Sequence, residues 1–294
     1  MNKLIVFSII GFLAQLVDGS LGMGFGATSA SLLLMFGIAP AVASASIHMA
    51  EIATTAASGA SHIWFKNVDR NILFKLTIPG AISAFVGAAF LSSIPADKIK
   101  PFISIFLILL GIYILVRFLF FNHSSSSDQS KTFSKKFMTP LGLVGGFFDA
   151  VGGGGWGPIT TPILLSRKGI APNKVIGTVA TSEFAVAVSA TLGFVLFLGV
   201  EHFQWLWVAA FMIGGVIAAP IAAYLVRIIP SYMLGVLVGG LIIFTNSITL
   251  IKTQGLSHSW ATLSYVVIFS IWILSILYQL KNRKNYITLE GQVE

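Results

Sequence analysis

The stretch "DAVGGGGWGPIT", residues 149–160, places four consecutive glycines between an acid and a tryptophan, in a chain that is apolar on both sides of it. Glycine costs about 1 kcal/mol relative to alanine inside a helix, so this run predicts a break in helical structure. A similar stretch, "DGSLGMGFGATS", lies at residues 18–29. The sequence therefore predicts two breaks of the same kind, one in each half of the chain.

The composition places the chain in a lipid bilayer. Of its 294 residues, 56% are hydrophobic and only 10% are charged, whereas about a quarter of the residues in a soluble domain carry a charge. Apolar stretches of about 20 residues recur, and in lipid these must be helices because every backbone amide needs an internal partner. The sequence predicts an all-α polytopic membrane protein. It contains no cysteine, which excludes disulfides and thiolate metal sites.

The apolar blocks fall into two classes by length. Those long enough to cross a membrane lie at about 41–64, 72–93, 99–121, 173–199, 203–226, 231–251 and 261–280. Those predicted to be too short to cross alone lie at about 3–17, 27–37, 138–148 and 156–166. Each short pair flanks a glycine-rich stretch and predicts a broken, re-entrant hairpin that returns to the side it came from. Whether the hairpin arms cross fully stays open.

The two halves of the chain repeat. At an offset of 131 residues, the first glycine-rich stretch falls on the second, and the aligned positions are Asp18 with Asp149, Gly22 with Gly153, Gly24 with Gly155, Phe25 with Trp156 and Gly26 with Gly157. After one inserted residue, "GIAP" at 37–40 falls on 169–172 and Glu51 falls on Glu183. We interpret this as an internal repeat.

Each repeat unit contains one hairpin and three crossings, so the second unit is predicted to be inverted in the membrane. Inverted repeats with broken helices are the architecture of secondary transporters, whose sites lie near the bilayer midplane. The predicted units are 1–121 for the first repeat, 122–137 for a cytoplasmic Ser/Lys-rich linker, 138–252 for the second repeat, 261–280 for one extra transmembrane helix and 281–294 for a cytoplasmic tail.

The basic residues predict the orientation. Of the 18 lysines and arginines, all but Lys3, Lys98, Lys100 and Lys252 fall in loops or tails on one side of the predicted membrane. The positive-inside rule makes that side cytoplasmic. We therefore expect the N-terminus on the outer side of the membrane and the C-terminus on its cytoplasmic side. This distribution also explains the net charge of +8, so the charge gives no reason to expect a nucleic-acid partner.

Two glutamates are predicted to lie deep in the membrane. Glu51 and Glu183 are each ten residues into a span, which is about 15 Å at 1.5 Å per residue in a core about 30 Å thick. An ionisable group at that depth usually faces a cavity or a partner. One hypothesis gives both carboxyl groups a structural role, holding unwound backbone. The other, which we favour, gives them a role in proton coupling or gating.

The first half carries a polar stripe. Its members follow steps of three and four residues and so share one helical face; they are His48, Glu51, Thr55, Ser58 and His62. Such a stripe lines an aqueous path or packs against another helix, and the two histidines favour a path. A metal site formed by His48 and Glu51 stays an alternative, but no repeated ligand set is predicted, because the second half has Ala180 where the first has His48. We expect no cofactor.

The hairpins leave the sign of the substrate charge open. Asp18 and Asp149 precede the glycines, and capping of a helix N-terminus is favoured over substrate contact for both. The buried acids favour a cation. Glycine-rich backbone leading into a short helix offers free amides and a positive dipole end, which favour an anion. Hydroxyl donors follow at Thr28, Ser29, Thr160 and Thr161.

The paired segments "DGSLGMGFGATSASLLLMFGIAP" and "DAVGGGGWGPITTPILLSRKGIAP", followed by "ASASIHMAE" and "IGTVATSE", resemble the TauE/SafE family of sulfite-exporter-like permeases, in the 4-toluene sulfonate uptake permease superfamily. The resemblance covers about residues 5–251. It implies an inner-membrane transporter that exports a small sulfur-containing anion, such as sulfite or a sulfonate, coupled to protons. It therefore favours an anion over a cation.

The resemblance also implies which residues contact the substrate. The family's glycine-rich and small polar motifs fall on Gly22, Gly24, Gly26 and Thr28 in the first half, and on Gly153, Gly155, Gly157, Thr181 and Ser182 in the second. The family's "ATS" is kept at 180–182 but reads "HMA" at 48–50. His48 therefore stands where a hydroxyl contact is expected, and it joins the expected substrate contacts.

Two alternatives remain beside an anion transporter. A cation or metal-ion transporter would use the buried carboxylates with His48. A membrane-embedded enzyme would need a nucleophile beside a base, and His48 with Ser44 or Ser46 is the only candidate. That set has no counterpart in the second half, so we expect a transporter that works by alternating access rather than an enzyme. The oligomeric state stays open.

Overall fold

The structure is a computed structural model that describes residues 2–120, 133–165, 170–225, 231–254 and 258–290. Within these ranges the regular structure is entirely helical. The helices are α1 (Asn2–Leu21), α2 (Phe25–Met35), α3 (Pro40–Trp64), α4 (Arg70–Ser93), α5 (Ala96–Phe120), α6 (Lys135–Gly152), α7 (Trp156–Leu165), α8 (Pro172–Phe197), α9 (Trp205–Leu225), α10 (Ser231–Gln254) and α11 (His258–Glu290).

Seven of these helices are long and apolar enough to cross a membrane, namely α1, α4, α5, α8, α9, α10 and α11. The prediction of an all-α polytopic membrane protein is confirmed. The short helices α2 and α7, with 11 and 10 residues, are the predicted second arms of the hairpins. Helix α3 has 25 residues, but its polar stripe lowers its hydropathy, and those polar side chains are buried inside the protein.

The expectation that all four hairpin arms are too short to cross is wrong for α1. Its apolar segment covers 18 residues, Leu4–Leu21, because the helix continues past Asp18 and ends only at Leu21. The Asp18 carboxylate does not interrupt α1, since it turns toward the next helix and accepts a hydrogen bond from the Phe25 N–H at 3.4 Å.

Both hairpins turn at a glycine in the left-handed region. Gly22 has φ +68° and Gly153 has φ +71°, a conformation that glycine adopts without steric cost. The Gly22 N–H donates to the Asp18 carbonyl at 2.6 Å, and the Gly153 N–H donates to the Asp149 carbonyl at 2.8 Å. These bonds close α1 and α6 in the same way, as a C-terminal glycine cap does.

The packing of the helices follows the predicted repeat. Helix α1 packs along α9, and α4 packs along α6, which is the same pair with the halves exchanged. Likewise α3 packs on α9 and α4 on α8, while α3 pairs with α8 and α5 pairs with α10. The two halves are therefore interleaved rather than side by side. The pattern supports an internal two-fold relation, and the inversion in the membrane stays a prediction.

The segment boundaries differ slightly from those predicted. Helix α6 begins at Lys135, inside the predicted linker 122–137, whose residues up to 132 lie outside the described residues. Helix α11 continues to Glu290, into the predicted tail. It is attached by the Trp272 indole, which donates to the Val236 carbonyl at 3.2 Å, and by the Gln279 amide, which donates to the Phe118 carbonyl at 2.7 Å.

Candidate functional site

The tips of the two hairpins contact each other through backbone. A Cβ atom at Gly26 would lie 2.6 Å from the Gly153 carbonyl oxygen, and one at Gly157 would overlap the Gly22 carbonyl oxygen. The Thr161 hydroxyl also crosses between the hairpins and donates to the Gly22 carbonyl at 2.6 Å. Only glycine allows backbones to approach this closely. Four of the predicted site glycines therefore form one contact between the halves.

Each short helix is capped by the aspartate of the helix before it. The Asp149 Oδ1 atom accepts hydrogen bonds from the Gly155 and Trp156 N–H groups, both at 2.8 Å. Asp18 makes the weaker equivalent bond to the Phe25 N–H, at 3.4 Å. Both aspartates lie in the last turn of a long helix rather than directly before the helix that they cap. Their carboxylates occupy the helix N-termini.

The expectation of free amides at the second hairpin tip is wrong for four residues. The N–H groups of Gly153 and Gly154 donate to the Asp149 carbonyl at 2.8 and 3.1 Å, and those of Gly155 and Trp156 donate to its carboxylate. A helix N-terminus binds anions, and here the anion is the side chain of Asp149. A substrate anion would have to compete with that carboxylate.

His48 joins α3 to the tip of the second hairpin. Its Nε2 atom lies 3.1 Å from Asp149 Oδ2 and 3.8 Å from Glu51 Oε2, and all three side chains are buried. Its Nδ1 atom lies 2.8 Å from the Ser44 carbonyl oxygen. His48, Glu51 and Asp149 each offer one ligand atom, and these atoms lie within 4.8 Å of one another. Asp149 is the third potential ligand, which the sequence did not connect with His48.

The four predicted acids form one buried group. Both Glu51 and Glu183 are buried, and Glu183 lies close enough to Asp18, Glu51 and Asp149 to interact with them electrostatically. Neither carboxyl oxygen of Glu51 has a hydrogen-bond partner among the described residues. A Cβ atom at Gly26 would lie 2.8 Å from Glu51 Oε1, so Glu51 also contacts the first hairpin tip.

The acids combine across the halves. Glu51 of the first half shares its cluster with Asp149 of the second, and by the repeat alignment the equivalent combination is Glu183 with Asp18. Only the first combination includes a histidine, because Ala180 occupies the position equivalent to His48. Each combination therefore contains two carboxyl groups, but a histidine nitrogen is present in the first and missing from the second.

The expected hydroxyl contacts are used in different ways. The Ser182 hydroxyl accepts a hydrogen bond from Trp156 Nε1 at 3.0 Å and donates to the Val179 carbonyl at 2.7 Å, so it fastens the second hairpin to α8. The Thr181 hydroxyl donates to the Gly177 carbonyl at 2.6 Å. The buried hydroxyl of Thr28 has no hydrogen-bond partner among the described residues. Thr28 is thus the freest of these hydroxyls to meet a ligand.

Trp156 fixes the second hairpin, and we expect Trp156→Phe to lower the free energy of unfolding by about 1–3 kcal/mol. The Trp156 ring is fully buried, and the phenylalanine variant would lose the hydrogen bond that the indole N–H donates to the Ser182 hydroxyl. Thermal unfolding in detergent measures the change. Trp205→Phe is the matched control, because Trp205 is 52% exposed and its replacement should leave the midpoint unchanged. Equal midpoints for both variants would contradict this role of Trp156.

The polar stripe of α3 is packed in this conformation rather than open. Its members His48, Glu51, Thr55, Ser58 and His62 are all buried, and α3 packs against α8 and α9. The sequence analysis also missed Asn246 of α10, which is buried and donates to the Ser31 hydroxyl at 2.6 Å. An asparagine inside the apolar block 231–251 was the available indication.

The enzyme hypothesis lacks a poised nucleophile at Ser44. The Ser44 Oγ atom lies 3.2 Å from His48 Nδ1, but its hydroxyl donates to the Ala150 carbonyl at 2.6 Å. His48 Nδ1 also lies 2.8 Å from the Ser44 carbonyl oxygen, so Nδ1 is a donor there and not a free base for the hydroxyl. The Ser46 hydroxyl donates to the Val42 carbonyl at 2.7 Å. Neither serine is therefore arranged with His48 as a nucleophile with its base.

Comparison with known proteins identifies the family. Residues 7–247 match the family described as "Sulfite exporter TauE/SafE". The chain is 57% identical over 285 residues to a Bacillus subtilis (strain 168) protein named "Probable membrane transporter protein YtnM", covering 97% of this chain and 95% of that protein. No solved structure matches the chain. The chain therefore belongs to the TauE/SafE family, and it is a membrane transporter rather than an enzyme.

Proposed function

We propose that the protein exports a small sulfur-containing anion, sulfite or a sulfonate or a related oxyanion, across the inner membrane by alternating access. The observation that carries the proposal is the direct contact between the two hairpin tips beside four buried acids. The description of the family as sulfite exporters supports the class of anion. The positive-inside pattern supports an outside N-terminus and a cytoplasmic C-terminus.

The proposed site lies between the hairpin tips and helices α3 and α8. Its members are Gly22, Gly24, Gly26, Thr28 and His48 from the first half, and Gly153, Gly155, Gly157, Thr181 and Ser182 from the second. The N–H groups of Gly153 and Gly155 are bonded to Asp149 in this conformation, so they would have to leave Asp149 to bind the anion. The contact of Gly26 with Gly153 closes the site in this conformation. Rocking of one repeat against the other would separate the tips and admit the anion.

Protons provide a way for an anion to bind beside four acids. Unscreened carboxylates in a medium of low dielectric constant repel an anion strongly, and protons on Glu51 and Glu183 would remove that repulsion. The membrane potential also favours export of the bound anion, because a potential that is negative inside favours outward movement of a negative charge by about 2.3 kcal/mol per charge per 100 mV.

The proton coupling predicts that Glu51→Gln and Glu183→Gln each reduce the pH dependence of transport. Glutamine keeps the shape of glutamate but cannot carry a titratable proton. The measurement is the flux of labelled sulfite in proteoliposomes over a series of pH values. Glu201→Gln is the control, because the side chain of Glu201 is 71% exposed, and it should keep the wild-type profile. Wild-type pH dependence in both buried variants would contradict the coupling.

A second candidate function is transport of a metal cation, and the His48, Glu51 and Asp149 cluster favours it. A thermal-shift screen separates the two candidates, because a ligand of the folded state raises its apparent stability. The screen compares sulfite, thiosulfate, sulfate and sulfonates with divalent cations. Stabilisation by at least one sulfur-containing anion supports the proposed function. Stabilisation by cations alone would contradict the proposed function, and cation flux in proteoliposomes would then test cation transport.

A further inference from the structure

We infer that His48, Glu51 and Asp149 bind a divalent transition-metal ion at the contact between the two halves of the chain. The inference concerns an ion that stays bound while the substrate moves. It deepens the proposed function, because the metal would supply positive charge beside the anion. The binding of the metal itself can be tested without transport.

The distances within the cluster suit a metal ion. Four ligands placed tetrahedrally at about 2.0–2.1 Å from an ion lie about 3.3 Å from one another. His48 Nε2 lies 3.1 Å from Asp149 Oδ2 and 3.8 Å from Glu51 Oε2. Small side-chain adjustments would therefore bring all three atoms to ligand distance. The three side chains supply three ligands and leave room in the coordination sphere for a fourth.

The orientation of His48 leaves its Nε2 atom facing two acceptors. Nδ1 is 2.8 Å from the Ser44 carbonyl oxygen, which only accepts hydrogen bonds, so Nδ1 carries a proton and donates it there. In the neutral ring, Nε2 then presents a lone pair toward two carboxylates. A backbone carbonyl on the remote nitrogen is the usual arrangement for a metal-binding histidine. A proton or a metal ion among these three atoms would remove their mutual repulsion, and the zinc measurement below distinguishes the two.

Glu51 gives a second, independent indication of a ligand. It is 1% exposed, and neither of its carboxyl oxygens has a hydrogen-bond partner among the described residues. A buried polar group without a partner costs about 1–3 kcal/mol, and a charged group costs more. A metal ion bound by Glu51 would remove that cost.

Asp149 connects the metal site to the hairpin. Its Oδ1 atom caps α7 through two N–H groups, while its Oδ2 atom faces His48. A metal bound at Oδ2 would therefore hold α3 of the first half to the hairpin of the second. Two carboxylates and one divalent ion have no net charge, so the bound ion would neutralise Glu51 in place of a proton, and the coupling proton would then be carried by Glu183.

The ligand set indicates the class of ion. One imidazole nitrogen with two carboxylate oxygens suits zinc, iron and manganese, whereas magnesium and calcium prefer oxygen ligands throughout. Glu201 provides a control outside the cluster, because its side chain is 71% exposed.

The test measures zinc bound per chain in purified protein from which any affinity tag has been removed, because a polyhistidine tag binds the same metals. The protein is stripped with a chelator, dialysed against Zn²⁺ and analysed for metal. Wild type and Glu201→Gln should each bind one equivalent with a rise in thermal midpoint. Glu51→Gln and His48→Gln should lose at least nine-tenths of the bound zinc. Unfolding of the metal-free variants shows whether they are folded.

Two results would overturn the inference. Wild type that binds no more zinc than Glu51→Gln would assign a proton, rather than a metal, to the cluster. Equal losses in Glu51→Gln and Glu201→Gln would show that the bound metal is not held by the cluster. Sulfite flux in metal-free proteoliposomes separates this inference from the proposed function. Zinc binding without any sulfite flux contradicts the proposed function alone, and full flux without metal contradicts the charge-neutralising role of the metal.

Discussion

Gly154→Ala is expected to prevent the two halves from assembling into a folded protein. Gly154 has φ +156°, and a Cβ atom there would overlap the backbone of Gly26 and Ala27 in the opposite hairpin. Backbone atoms on both sides cannot move aside as a flexible side chain can. Left-handed strain alone costs about 1–3 kcal/mol, and the overlap adds to it. The yield of monodisperse protein after detergent extraction, followed by thermal unfolding, measures the effect.

Gly59→Ala is the matched control for Gly154→Ala. Gly59 lies inside α3, and a Cβ atom there would meet Thr181 at 3.4 Å, an ordinary van der Waals distance. Alanine also favours helix over glycine by about 1 kcal/mol, so this variant should be at least as stable as wild type. A Gly154→Ala protein that folds with the wild-type midpoint would show that the hairpin tips do not touch as described.

Asp149→Ala is expected to lower the free energy of unfolding by about 2–6 kcal/mol, because two buried N–H groups lose their acceptor at about 1–3 kcal/mol each. These groups are the N–H of Gly155 and the N–H of Trp156. Asp149→Asn should be much milder, since the amide oxygen can still accept both N–H bonds. Denaturant unfolding in detergent measures both changes.

Asp18→Ala separates capping from a general effect of removing a buried acid. Asp18 occupies the equivalent position, but its carboxylate accepts only a long backbone bond, at 3.4 Å from the Phe25 N–H. Its replacement by alanine should therefore cost clearly less stability than Asp149→Ala. If the two alanine variants were equally unstable, the difference between the two caps would have no energetic consequence.

Much of the fold could be predicted from the sequence because the bilayer restricts the choices. Apolar blocks of about 20 residues must be helices in lipid, and the glycine runs marked both hairpins. The end of α1 was predicted too early, since Asp18 was taken to end the apolar block. In the structure Asp18 lies within α1 and bonds to the next helix, a partner that hydropathy does not reveal.

The contacts between the site residues were harder to predict than the identity of those residues. The repeat placed Glu51 and Glu183 at equal depth, but His48 meets Asp149 across 101 residues and across the two halves, which only the packing determines. The free amides expected beside Asp149 conflicted with the capping expected of the same residue, because a capping carboxylate occupies the amides that it caps. The sequence already contained that conflict.

The central claim is that this protein carries a sulfur-containing anion between its two hairpins. The most direct measurement is the entry of labelled sulfite into liposomes that contain the purified wild-type protein, compared with protein-free liposomes. We expect sulfite to enter faster with the protein, and we expect an excess of unlabelled sulfite or of a competing sulfonate to slow that entry. Sulfite entry at the protein-free rate, together with protein-dependent entry of a divalent cation, would contradict the account.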